Sequence, residues 1–155
     1  MSVPAFQRLR RGATEVEDAS TGKLGPVVEF QDAGCLLVSE VHLFFSRPGE
    51  SSDRDDGLSA VTQKTKEYVD EFSRYKDQST IREVRALLIK HAAQPDMEDE
   101  DEKGLQLTQF EMAQLANLSV TDIDEARTLI PTLASKDDAQ LESLLHELTA
   151  IRSFT

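Results

Sequence analysis

Asp137-Asp138-Ala139-Gln140-Leu141-Glu142-Ser143-Leu144-Leu145-His146-Glu147-Leu148-Thr149-Ala150-Ile151 is the stretch whose reading decides the fold class. Leu141, Leu144, Leu145, Leu148 and Ile151 fall three and four residues apart, so they share one helix face, loosely continued by Phe154. Asp137 or Asp138 supplies the cap. Working back along the chain, Ile123, Ala126, Leu129 and Ile130 mark a shorter helix, with Thr121 as its expected cap and Pro131 as its stop. Thr108 and Glu111 have the spacing of a capping box ahead of Met112, Leu115, Ala116 and Leu118. Thr80 and Glu83 repeat that spacing in a helix that begins after Asp77, buries Ile81, Val84, Leu87 and Leu88 and ends near His91. Leu58, Val61, Thr65, Tyr68, Phe72 and Tyr75 predict one face of a long helix before it. Five helices over 58–155 are therefore expected to pack as a bundle, and truncating a fully buried Leu144 or Phe72 should cost about 2–5 kcal/mol.

Upstream of residue 58 the pattern changes. Residues 1–23 lack periodicity and read as a flexible N-terminal tail. Leu24-Gly25-Pro26-Val27-Val28-Glu29-Phe30 favours extended backbone, but a lone strand leaves its N–H and C=O groups unpaired and the chain offers no convincing second strand. The stretch Cys35 to Phe45 places Leu37, Val41, Phe44 and Phe45 at helical spacing, with apolar residues on more than one face, until Arg47-Pro48-Gly49 stops it. Segment 24–45 is thus expected to dock on a partner, 46–57 to be a polar loop, and 92–106 to form an acidic loop within the bundle. In that loop, six of the seven residues from Asp96 to Glu102 are carboxylates, which repel one another and favour solvent.

Bulk properties narrow the function. The chain has 155 residues and a net charge of −12, so binding of nucleic acid by this chain alone would need a segregated basic face. The basic cluster Arg8, Arg10 and Arg11 lies in the tail. One cysteine, Cys35, excludes an internal disulfide framework and reads as a small buried hydrophobe. The apolar run Leu36 to Phe45 is shorter than the roughly 20 residues a membrane span needs, no signal peptide is expected, and the sequon Asn117-Leu118-Ser119 is read as incidental.

Catalytic chemistry is not evident. His42, His91 and His146 are about fifty residues apart with no ligand-spaced partners, so they read as helix-end or surface histidines. Asp99, Asp101 and Gly104 match three positions of a calcium loop, yet Lys103 and Phe110 occupy positions that require oxygen ligands. No GxxxxGK[ST] or GxGxxG phosphate loop is present. Neither cofactor nor metal is expected, and the chain reads as a binding subunit rather than an enzyme.

Several segments carry a resemblance. Phe72-Ser73-Arg74-Tyr75-Lys76, Leu107-Thr108-Gln109-Phe110-Glu111, Gln114-Leu115-Ala116-Asn117-Leu118, Asp124 to Leu133, and Leu144-Leu145-His146-Glu147-Leu148 with Arg152-Ser153-Phe154 resemble the family of fourth subunits of eukaryotic RNA polymerase II. Glu17-Asp18-Ala19-Ser20, Leu24-Gly25-Pro26, Glu29-Phe30 and Ser39-Glu40-Val41 extend it into the arm. The resemblance implies a non-catalytic stalk subunit in the nucleus, with the cytoplasm also open. It would pair with the seventh subunit, dock on the core polymerase beside the clamp and RNA exit channel, and present a surface to transcription factors. Nascent RNA would be met mainly through the partner.

The implied fold is mainly α. An N-terminal strand and helix complete the partner's domain, ahead of a five-helix bundle similar to the C-terminal domain of RecQ helicases and RNase D. Carried over by position, the partner-binding residues are Leu24, Gly25, Pro26, Glu29, Phe30, Leu36, Leu37, Val41 and Phe44. Departures from the family pattern are two extra residues between Pro26 and Glu29, an early stop after Phe45, and the acidic run 96–102. Two other functions compete: a nucleic-acid-binding helical module, which would need a basic face, and the equivalent subunit of polymerase I or III, which the Leu129-Ile130-Pro131 segment disfavours. On the leading reading, removing residues 1–45 abolishes pairing while 58–155 stays helical.

Overall fold

Short polar side chains start most of the helices, because the first N–H groups of a helix have no partner within it. The computed structural model describes residues 18–23, 33–47, 60–94 and 103–154. Among these it forms six α-helices: α1 (Val38–Phe45), α2 (Ala60–Phe72), α3 (Gln78–Lys90), α4 (Gln109–Leu118), α5 (Ile123–Leu129) and α6 (Asp138–Ser153). Two short 3-10 helices, Ala19–Thr21 and Pro131–Ser135, complete the order. The described residues contain no strand; extended pairing is limited to two isolated bridges, Asp18 with Lys23 and Ala92 with Leu107. The strand expected at 24–30 lies outside the described residues.

Two caps fall where the spacing put them. Thr108 and Glu111 form the reciprocal box of α4, with Glu111 N–H donating to Thr108 Oγ1 at 3.2 Å and Thr108 N–H to Glu111 Oε2 at 2.8 Å. Asp137 caps α6 by accepting from Gln140 N–H at 2.9 Å. Two other caps differ. α3 begins after Asp77, as expected, but Asp77 itself supplies the cap, accepting from Ser79 and Thr80 N–H groups at 3.0 and 3.1 Å, so Thr80 lies in the first turn. Asp122, not Thr121, opens α5, accepting from Asp124 and Glu125 N–H groups. In both helices a nearby carboxylate, three residues ahead of Thr80 and one after Thr121, takes the role because its charge strengthens the bonds to free N–H groups.

The stripes of α3 and α6 form the core as read: Ile81, Val84, Leu87 and Leu88 meet Leu141, Leu144, Leu145 and Leu148, with Leu107, Met112, Leu115, Ile130 and Leu133 between them. Phe154 does not extend the stripe of α6; it is exposed beyond the helix. The stripe expected along 58–75 is corrected more deeply. α2 ends at Phe72, and Tyr75 is buried in the turn after it. Val61, Tyr68 and Phe72 point outward, whereas Thr62, Lys66, Val69 and Ser73 form the covered face. Phe72 is 42% exposed, so it does not carry the core-truncation cost that Leu144 does.

Residues 18–23 form a turn around Ala19–Thr21, capped by Asp18 and packed against Pro131–Ser135. The ends of the acidic loop are pinned together: Leu107 N–H donates to the His91 carbonyl at 2.7 Å and Ala93 N–H to the Leu107 carbonyl at 2.9 Å. Gly104 is required there, since a Cβ would lie 2.7 Å from the Lys90 carbonyl oxygen. Residues 95–102, including the calcium-loop positions Asp99 and Asp101, lie outside the described residues.

Candidate functional site

α1 is the element on which the site is built, and its own chain holds it. Val38 N–H donates to Asn117 Oδ1 at 3.0 Å, which commits the amide of the Asn117 sequon to a structural bond. Ser39 is buried, and its hydroxyl accepts from Tyr75 N–H at 3.0 Å. Glu40 reaches back to Leu37 N–H at 2.7 Å and pairs with Arg85 of α3. Arg85 also donates to Glu40 Oε1 at 2.8 Å and to the Cys35 carbonyl at 3.0 Å. His42 Nδ1 lies 2.9 Å from Asp70 Oδ1 on α2.

These contacts show that the helix expected to dock on a partner also buries against its own chain. α1 packs on both α2 and α3, and Leu37, 1% exposed, belongs to the bundle core. The polar residues that interrupt the apolar run are what anchor it, because a buried hydroxyl or amide stabilises only where it finds a partner.

His42, Asp70 and Ser46 also present a chain of acid, imidazole and hydroxyl, with Ser46 Oγ 3.3 Å from His42 Nε2. The hydroxyl hydrogen is directed elsewhere: Ser46 Oγ donates to the His42 carbonyl at 2.8 Å, closing the C-terminus of α1. The group is a link between α1 and α2 rather than an activated nucleophile. Among the described residues no cluster of His, Cys, Asp and Glu could hold a metal ion, and no helix is long and apolar enough to cross a membrane.

Of the nine partner-binding residues expected from the sequence, Leu24, Gly25, Pro26, Glu29 and Phe30 lie outside the described residues. The other four separate. Leu37 faces inward and Val41 is half-buried, while Leu36 and Phe44 are 57% and 49% exposed. Leu36 and Phe44 line a shallow hollow of about 200 Å³ with Glu40, Leu43 and Arg47, and the Arg47 guanidinium lies 5.1 Å above the Phe44 ring. Glu40 and Leu43 also border a larger hollow of about 380 Å³ between α1 and α3, whose far wall includes Arg82, Arg85 and the exposed Ile89. The two hollows make one apolar ledge. Sequence reasoning missed the α3 side of it, although Ile89 was a signal: it sits outside the stripe of Ile81, Val84, Leu87 and Leu88.

The comparisons with known proteins bear on the whole chain. The RNA polymerase Rpb4 family matches residues 11–152. DNA-directed RNA polymerase II subunit 4 of Arabidopsis thaliana is 34% identical, with 90% of this chain and 96% of the relative covered. Subunit rpb4 of Dictyostelium discoideum is 32% identical, covering 94% and 95% of the two chains. Subunit rpb4 of Schizosaccharomyces pombe is 33% identical, covering 89% and 93%. The match therefore spans α1, the ledge and the bundle alike, and the chain belongs to the RNA polymerase Rpb4 family.

Proposed function

We propose that this chain is a non-catalytic subunit of RNA polymerase II that works in the nucleus as part of the polymerase stalk. It pairs with the seventh subunit through the ledge on α1, with segment 24–30 as the second part of the docking arm. Docked on the core enzyme, the pair supports initiation and offers the helical bundle to transcription factors, and nascent RNA is met mainly by the partner. Membership of the family and the printed names of the relatives support the polymerase assignment.

One structural observation carries the pairing: Leu36, just ahead of α1, and Phe44, on it, remain exposed although polar bonds hold this helix in place. Large apolar side chains fixed in this way lose little entropy on association, which favours their use as anchors. The test is co-expression of the full chain with the seventh subunit. A one-to-one complex is expected, and Leu36→Asp combined with Phe44→Asp should weaken it by about 2 kcal/mol or more, roughly 30-fold, without loss of helicity. A wild-type chain that stayed monomeric beside that partner would overturn the proposal.

A further inference from the structure

The α1–α3 ledge has a charge opposite to that of the molecule around it. Three arginines, Arg47, Arg82 and Arg85, border the two hollows together with one carboxylate, Glu40, on a chain whose net charge is −12. Glu40 and Arg85 neutralise each other in their pair. Arg47 lies over the Phe44 ring, and Arg82 is exposed with no ion-pair partner among the described residues. On α3, Arg82, Ala86 and Ile89 follow steps of four and three, so the arginine stands on the same face as the apolar floor.

We infer that the ledge takes an acidic-apolar segment of the partner: an apolar side chain enters the hollow between Leu43 and Ile89, and a neighbouring carboxylate meets Arg82. The inference rests on the stalk pairing proposed above and names the chemistry of the partner's contact. A basic or neutral segment would leave Arg82 covered without a counter-charge, which costs affinity as its water is removed. The net charge of −12 disfavours an acidic segment overall, so the arginines of the ledge favour it as the place where the segment lands.

The test measures the affinity of the full chain for the seventh subunit at low and raised salt, with two variants of equal charge change. Arg82→Glu is expected to weaken the complex about tenfold or more and to flatten its salt dependence, because the attractive pair is replaced by repulsion. Lys64→Glu, on exposed α2 away from the ledge, is expected to stay within about twofold. Arg82→Lys should keep most of the affinity. Circular dichroism on each variant checks that the bundle is intact. If Arg82→Glu binds as Lys64→Glu does while the Leu36 and Phe44 variant still loses the complex, the acidic-apolar inference is overturned and the pairing stands. If the wild-type chain forms no complex, the pairing fails and the inference with it.

Discussion

At the scale of single residues, local chemistry decides most of what can be read. Thr108 and Glu111 are legible as a pair because each satisfies the other's backbone N–H three residues away, which needs no knowledge of the rest of the fold. That Glu111 is also 2% exposed and 3.7 Å from Lys136 Nζ depends on a turn twenty-five residues further on and is not legible. His91 is a similar case. It reads as a helix-end histidine, but it lies beneath the Ala92–Leu107 bridge, where Leu105 N–H is directed at its Nδ1 at 3.5 Å. Burial pushes its pKa below the ordinary 6.5, opposed by Glu147 and aided by Lys90. A basic group with a lowered folded pKa binds its proton more readily in the unfolded chain, so stability falls as pH drops through about 6.5 and levels off below the folded value. Urea unfolding at pH values on either side of that window should show this loss in the wild type and less of it in His91→Gln. Equal pH dependence in both would remove His91 as the cause.

At the scale of elements, periodicity finds helices more reliably than it finds their buried face. α3 and α6 were legible because their apolar stripes coincide with the faces that meet in the core. α2 was not, since its covered face is Thr62, Lys66, Val69 and Ser73, and its aromatic pair Tyr68 and Phe72, 4.6 Å between ring centres, lies outside. A short helix packed against it leaves room for lysine stems and small hydroxyls in place of a full apolar stripe. The ledge was half legible for another reason: its α1 residues are contiguous, whereas Arg82, Arg85 and Ile89 arrive from a helix some forty positions later. Arg85 ties the two together through Glu40 and the Cys35 carbonyl. Arg85→Ala should therefore cost about 1.5–3 kcal/mol and loosen α1 selectively. Hydrogen exchange would show faster exchange across residues 38–45 with α6 unchanged; uniform loosening of both helices would instead mean that the arginine supports the whole bundle.

At the scale of the whole molecule, the expected docking arm and the bundle share residues at one place. The arm was expected to begin as tail and end at residue 45, with everything after 58 folding alone. Leu37 lies in the bundle core, Val38 N–H donates to Asn117 Oδ1, and the Ser39 hydroxyl accepts from Tyr75 N–H, so the chain offers no clean cut there. Removing residues 1–45 thus takes away the proposed partner contacts and part of the core together. Loss of Leu37 alone removes a buried leucine, worth about 2–5 kcal/mol. For a bundle of this size, that corresponds to a fall in melting temperature of roughly 10–20 °C. Removing only residues 1–32 keeps Leu37 and the anchors of α1, so the melting temperature should change far less, although the turn at 18–23 and its packing on Pro131–Ser135 are lost. The two truncations separate the roles. Both are expected to bind the seventh subunit more weakly than the full chain, but only the longer one should also melt early. Should the longer truncation melt with the shorter, α1 would be an appendage rather than part of the core, and the ledge would lose the fixed support that makes its exposed side chains effective anchors.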